Sequence, residues 1–387
     1  MDTSRLRPTA VNSVLADIRR VQGQGKSVVS LMRGEPDFKT PGHITEAAVE
    51  AVRAGRTGYP DNRGEIRLRE AVALKLKRDN ALAYDPGTEI LITTGATLGI
   101  YTALTALLGE GDEVLVPDPI YDAYQSPIAL AGGRARPVRA VIERDRFVLG
   151  VEALEAAFTP SSRLLLLNSP WNPVGTVFST SEVEAIADFV LRRNLMVLSD
   201  DIYEAIVYDG HRFVSPAIVS GEMRARTVVV NSLSKTYAMP GWRVGYCAAT
   251  ASVIQAMFLV LQQSSRGPAT FVQDAAACAL SSAQDCVEAM RQSYAERRAQ
   301  VSAALSGLTR IRALPPEGGF FTMVDVRGTG LRSNDVRLRL LEQGGVAVIH
   351  GAAYGDGGEG TLRVSFASGG DNLATGLERL REYLGQL

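Results

Sequence analysis

The chain has 387 residues, 46% hydrophobic and 21% charged, the composition of a globular protein too long for a single compact core. Its 41 basic and 42 acidic side chains leave a net charge of −1, which offers no electrostatic footprint for nucleic acid or an anionic membrane surface. The three cysteines, Cys247, Cys278 and Cys286, form no CxxC pair, which argues against a disulfide framework and against a zinc site. Charges at Asp2, Arg5 and Arg7 are followed by no apolar run, and no stretch stays apolar long enough to span a bilayer. A cytosolic protein acting on small molecules, with no metal, is the expectation.

In chain order, the first buried strand is expected at Glu89 to Thr93. It runs through Thr94-Gly95-Ala96-Thr97 into a helix, and free amides at a helix start bind phosphate well. A plain strand-to-helix turn has the same composition. Further strands are expected at Glu113 to Val116 and Arg163 to Leu167. The second of these leads into Asn168-Ser169-Pro170-Trp171-Asn172-Pro173-Val174-Gly175, a rigid turn that can aim the Asn172 amide inward, or that needs its prolines and glycine for shape alone.

Ser181-Glu182-Val183-Glu184 has the spacing of a capping box. After it, Val183, Ile186, Phe189 and Val190 share a helical face, and Asn194 marks a stop before a strand at Met196 to Ser199. Asp200-Asp201-Ile202-Tyr203 then stands at a strand's C-terminal end, where open α/β sheets place ligands. A carboxylate there could bond a protonated ring nitrogen, and the phenol a ring hydroxyl. A capping Asp followed by a packed Tyr describes the motif equally well.

A strand at Thr227 to Asn231 precedes Ser232-Leu233-Ser234-Lys235-Thr236-Tyr237-Ala238-Met239-Pro240-Gly241-Trp242-Arg243-Val244-Gly245. A lysine among small and hydroxylated residues can be held rigidly and partly desolvated, which keeps it available as a neutral amine nucleophile. Ser232, Ser234 and Arg243 carry the donors a phosphate needs. The Ser-x-Ser-Lys spacing with Gly-x-Arg-x-Gly downstream separates Lys235 from an ordinary surface lysine.

The near-continuous apolar strands, alternating with helices, predict a mostly parallel sheet covered on both faces. Beyond about residue 285, charged helical segments at Glu288 to Leu305 and Ser333 to Gln343 flank strands near Phe320 to Val326 and Thr361 to Phe366. This predicts a large α/β domain over 41–285 and a smaller α+β domain made of 1–40 with 286–387.

The lysine run, with Asn-Pro-Val-Gly and Asp-Asp-Ile-Tyr before it, resembles the class I/II aminotransferases of the fold type I pyridoxal-phosphate enzymes, particularly their bacterial aspartate-aminotransferase-like branch. The resemblance extends from Gly34-Glu35-Pro36-Asp37-Phe38, through Tyr59, Gly64 and Leu68-Arg69, to Leu362-Arg363-Val364-Ser365. It implies the α/β fold of that type, pyridoxal 5'-phosphate as cofactor, and ping-pong transfer of an amino group from an L-α-amino acid to a 2-keto acid. Lys235 matches the Schiff-base lysine and Asp200 the partner of the pyridine nitrogen. Tyr203 and Asn172 match the partners of the ring hydroxyl. Gly95, Ala96, Thr97, Ser232, Ser234 and Arg243 match the phosphate cup, and Tyr121 the aromatic stacked on the ring. Arg363, helped by Gly34 and Asn172, matches the clamp on the substrate α-carboxylate. Tyr59 matches the tyrosine that reaches a neighbouring subunit's phosphate, which implies a homodimer with shared sites.

The sequence departs from the family pattern at Val174 and over His350-Gly351-Ala352-Ala353-Tyr354-Gly355, a loop near the substrate in the family. Arg33 and Arg266 are candidate cations for a second, side-chain carboxylate, though each also reads as a solvated arginine. β-Lyases, cyclases and oxidases share this fold and cofactor, and a non-catalytic ligand sensor is the reading from a different class.

Overall fold

Seven strands form the central sheet of the computed structural model, which describes residue 6 and residues 9–387. They are β1 (Ile90–Thr93), β2 (Glu113–Asp118), β3 (Arg134–Arg139), β4 (Ser162–Asn168), β5 (Met196–Asp200), β6 (Thr227–Ser232) and β7 (Gly245–Ala248). Their spatial order is β1-β7-β6-β5-β4-β2-β3, and β7 alone runs antiparallel to its neighbours. The expected mostly parallel sheet is therefore present, with its parallel strands ending along one edge.

Alternate residues of these strands enter different cores, as the two-residue period of a strand requires. Ile90 and Ile92 pack with Ile44 of α2 (Gly42–Arg53) and with Leu68 and Val72 of α3 (Ile66–Asn80). Leu91 between them packs with Ile100, Ala103 and Leu104 of α4 (Ala96–Leu107) on the opposite face. In the same way Val197 meets α5 (Thr180–Arg192), while Leu198 meets the α4 side. Helices thus cover both faces, and the strands can be apolar throughout.

A second sheet of four antiparallel strands has the order β8 (Arg312–Leu314), β9 (Phe321–Asp325), β11 (Thr361–Ser365), β10 (Ile349–His350). Its core joins Val324 and Val364 to Tyr294 and Val301 of the helix Asp285–Leu305, to Leu373 and Leu380 of the helix Gly370–Leu384, and to Leu31. The N-terminal segment is tied in by parallel pairing of Val29 with Val346 and Ser30 with Ala347.

Three local expectations need correction. The capping box is Ser179 with Glu182, not Ser181 with Glu184: Ser179 accepts from the Glu182 amide, and the Ser179 amide donates to the Glu182 carboxylate at 2.8 Å. Phe178 and Val183 lie in one buried cluster, a staple across the helix start, and Arg146 holds Glu182 at 2.8 Å. The stop is as expected, with Asn194 in the left-handed region at φ 53. The helix from Ser333 is α-helical only to Arg339 and continues as a π-helical turn over Leu340–Gly344. Strands β3 and β7 were not expected. β3 is polar because it is an edge strand with exposed arginines, where Pro137 removes no needed donor.

Candidate active site

Along the common edge of the sheet, Asn168, Asp200 and Ser232 end three neighbouring strands. They open onto a cleft of about 250 Å³ also lined by Gly34, Ala96, Thr97, Tyr121, Asn172, Tyr203, Ser234, Lys235, Arg243 and Arg363. Residues 34 to 363 of the chain are thereby brought together. A more open groove of about 680 Å³ beside Asp118 contains none of these expected site residues. Size alone does not locate the chemistry.

Lys235 stands in a one-turn helix, Leu233–Thr236, that follows β6 directly. Its Nζ donates to the Gly34 carbonyl at 2.6 Å, which draws the N-terminal segment over the sheet edge. Burial lowers the ammonium to about 8, with Arg243 and Arg363 adding to the effect and Glu35 and Asp200 opposing it. A lysine so placed gives up its proton more readily than a solvated one.

Asp200 is buried at the end of β5, 4% exposed, and burial raises its carboxyl to about 6. Tyr124 donates to Oδ2 at 2.6 Å and the Ile202 amide to Oδ1 at 3.3 Å, and both oppose that rise. Burial drives the Tyr124 phenol well above its usual range, and the Asp200 charge adds to this. Tyr124 was missed from sequence. Its signal is faint, a second tyrosine three residues after Tyr121, and the two rings meet edge-on at 5.3 Å. Asn168 was also missed. It donates to the Asp200 carbonyl at 2.8 Å and accepts from the Asn172 amide at 2.8 Å, so it orders the two residues about which the site is built.

At the other end of the cleft the groups are donors. Ala96 and Thr97 open α4, Ser232 caps the one-turn helix in which Ser234 stands, and Arg243 faces them. A Cβ on Gly95 would stand 2.5 Å from Arg243 Nη2, and one on Gly245 would stand 2.9 Å from the Ala96 nitrogen. Glycine at both positions lets the guanidinium and the first amides of α4 converge. Arg243 is held in the left-handed region, φ 54, and uses Nη1 on the Pro240 carbonyl at 2.8 Å. Backbone amides, hydroxyls and a guanidinium are the donors that a phosphate dianion requires. With an amine and a buried carboxylate across the cleft, the residues present fit pyridoxal 5'-phosphate.

Arg363 is 2% exposed on β11. Nη1 donates to Asn172 Oδ1 and Nη2 to the Met32 carbonyl, each at 3.1 Å, while Nε is buried with no partner among the described residues. The guanidinium lies 4.1 Å from the Phe321 ring centroid and 5.0 Å from that of Tyr354, so its plane is fixed before any substrate arrives. Tyr354 comes from the divergent loop, and it lines the cleft.

Other candidates lie outside the cleft. Gly95 does not line it, and its missing Cβ leaves room for Arg243, as above. Tyr59 is 87% exposed, with the Arg266 guanidinium 5.4 Å from its ring centroid. Arg33 pairs with Glu35 at the surface. Neither Arg33 nor Arg266 lines the cleft, so within this chain they offer no cation for a second carboxylate. His350 is displaced as well: burial, and then Arg337, lower it to about 4, and its Nδ1 has no partner among the described residues.

Comparison with known proteins agrees with this geometry. Residues 26–380 match the family model described as aminotransferase class I and II. The chain is 40% identical to aromatic-amino-acid aminotransferase 2 of Thermococcus litoralis, over 93% of this chain and 92% of that protein. It is 36% identical to the aspartate/prephenate aminotransferase of Nitrosomonas europaea, over 98% of both. The crystal structure of the aspartate aminotransferase from Rhizobium meliloti superposes with a TM-score of 0.94 at 35% identity, covering 98% of this chain and 97% of that one. These relatives favour amino-group transfer over the lyase, cyclase, oxidase and sensor alternatives. The chain belongs to the class I and II aminotransferases, and it is a pyridoxal-phosphate-dependent transaminase of fold type I.

Proposed function

We propose that transamination in this protein turns on Lys235, between a phosphate site formed by Ala96, Thr97, Ser232, Ser234 and Arg243 and a substrate site centred on Arg363. One observation carries this reading: a single cleft holds an amine lowered to about 8, a buried carboxylate and a fixed guanidinium. Pyridoxal phosphate, when bound, supplies an aldehyde that takes up the amino group and a ring that accepts electrons. Asp200 would face the ring nitrogen and hold it protonated, while Tyr203 and Asn172 would bond the ring hydroxyl and Tyr121 would cover the ring. Lys235 Nζ, which burial makes easier to deprotonate, would carry the proton from the substrate Cα. Arg363, steadied by Asn172, would take the α-carboxylate through two parallel hydrogen bonds, with Gly34 beside it. Substrates are then an L-α-amino acid and a 2-keto acid.

This reading places the site where residues 41–285, which carry Lys235, meet a second body made of 1–40 and 286–387, which carries Gly34 and Arg363. The pairing of Val29 and Ser30 with Val346 and Ala347 supports that grouping of the N-terminal segment with the C-terminal part. The high exposure of Tyr59 supports a homodimer in which Tyr59 reaches the phosphate of a second copy. A cytoplasmic location is in keeping with the three unpaired cysteines, and among the described residues no helix is long and apolar enough to cross a membrane. Borohydride reduction of the loaded enzyme, followed by peptide mass spectrometry, tests the central assignment. The vitamin should be fixed to the Lys235 peptide, and fixation at a different lysine overturns it.

A further inference from the structure

Behind the phosphate site, away from the cleft, lies a charged cluster that the mechanism does not use. Lys75 on α3 forms an ion pair with Glu204, and their side chains are only 8% and 7% exposed. Asn80 bridges the pair, accepting from Lys75 at 2.8 Å and donating to Glu204 Oε2 at 2.6 Å. The second oxygen, Oε1, accepts from Asn231 Nδ2 at 2.6 Å. Asn231 then accepts, through Oδ1, from the Ser232 amide at 2.7 Å. Ser232 Oγ in turn accepts from the Ser234 amide at 3.2 Å, capping the one-turn helix that carries Lys235.

Glu204 follows Tyr203 directly and lies four residues beyond Asp200, so the same turn serves both the cleft and the cluster. Burying a charged pair costs solvation that its own attraction often fails to offset. A pair kept in such a place is therefore weak evidence for stability, and its specific hydrogen bonds are the better guide to its use. Each polar end of the Asn231 amide has a partner, one on Glu204 and one on the backbone of the phosphate-holding turn. The Asn231 backbone is held in the sheet opposite Tyr246, and a Cβ on Gly245 would come within 2.7 Å of its carbonyl oxygen.

We propose that Lys75, Glu204 and Asn231 form a buried positioning relay, in which α3 fixes the Ser232–Lys235 turn in the geometry that grips the cofactor phosphate. This rests on the assignment of that turn to the phosphate site. Asn231 is the link, and none of the three residues lines the cleft. The relay acts on the phosphate end, so its loss should be felt by pyridoxal phosphate and not by pyridoxal, which lacks that group.

The test measures dissociation constants of both vitamers by absorbance titration of cofactor-free protein. Asn231→Ala should weaken pyridoxal phosphate about 10-fold or more and leave pyridoxal within about 2-fold. Asn231→Asp, which sets two carboxylates against each other, should do at least as much damage. Replacing the buried pair together, Lys75→Met with Glu204→Leu, leaves no lone charge and should weaken pyridoxal phosphate but not pyridoxal, as Asn231→Ala does. Equal weakening of both vitamers, or unchanged affinity in Asn231→Ala or in the paired variant, would overturn the relay. Absence of any pyridoxal phosphate binding by the unaltered protein would instead overturn the site assignment itself.

Discussion

With Tyr124 on Oδ2 and the Ile202 amide on Oδ1, Asp200 is a carboxylate buried before any cation reaches it. Its carboxyl rises from 3.8 to about 6, so the folded, cofactor-free protein holds a proton that the unfolded chain gives up between about pH 4 and 6. Stability should therefore fall as pH rises through that window, by roughly 3 kcal/mol at most. Asp200→Asn should lessen that fall, to which burial of Asp118, Asp122 and Asp201 also contributes, and urea midpoints of both proteins at pH 4 and pH 7 would show the difference. In the loaded enzyme the same variant should cost turnover about 10²- to 10³-fold, with far less loss of cofactor. Lys235 has the opposite sign. Its amine, lowered to about 8, becomes neutral as pH rises, so the rate of pyridoxal phosphate uptake should climb between about pH 7 and 9 and then level off. A flat stopped-flow profile over that range would contradict the burial of this amine.

At the scale of elements, helix α5 shows how local rules compete. Ser179-Thr180-Ser181-Glu182-Val183-Glu184 contains two overlapping Ser-x-x-Glu boxes. The first prevails because it puts Phe178 and Val183 into the same core and gives Glu182 to Arg146. Ser179→Ala should cost about 1 kcal/mol by denaturant unfolding, and Ser181→Ala should cost little. Equal losses would mean that the helix start is not fixed by this box. The one-turn helix Leu233–Thr236 is too short to be stable by itself and is held by Ser232, Asn231 and the strand before it.

For the whole molecule, the cleft gathers groups from the N-terminal segment, from the ends of β4, β5 and β6, and from β11. Tyr59 stands apart from it. If Tyr59 completes the phosphate site of a second copy, sedimentation should give the mass of two chains. Tyr59→Phe should then weaken pyridoxal phosphate retention about 10-fold, with no change in Tm, because the side chain is almost fully exposed in the single chain. A monomer, or unchanged retention, would remove this residue from the site.

The sequence by itself determined the strand runs at β1, β2, β4, β5 and β6 and the segments that carry Lys235, Asp200, Asn172 and Arg363. These follow from short-range rules, such as apolar runs bounded by turns, and from motifs confined to a few neighbouring residues. Tertiary structure decided which capping box closes, that an arginine-rich segment serves as the edge strand β3, and that Tyr124 and Asn168 order Asp200. It also decided that Arg33 and Arg266 stay outside the cleft while Lys75 reaches Glu204 across 129 positions. Each of these depends on which strand ends lie side by side. That order is fixed by the packing of helices on both faces of the sheet, a sum over many distant contacts that no local pattern encodes.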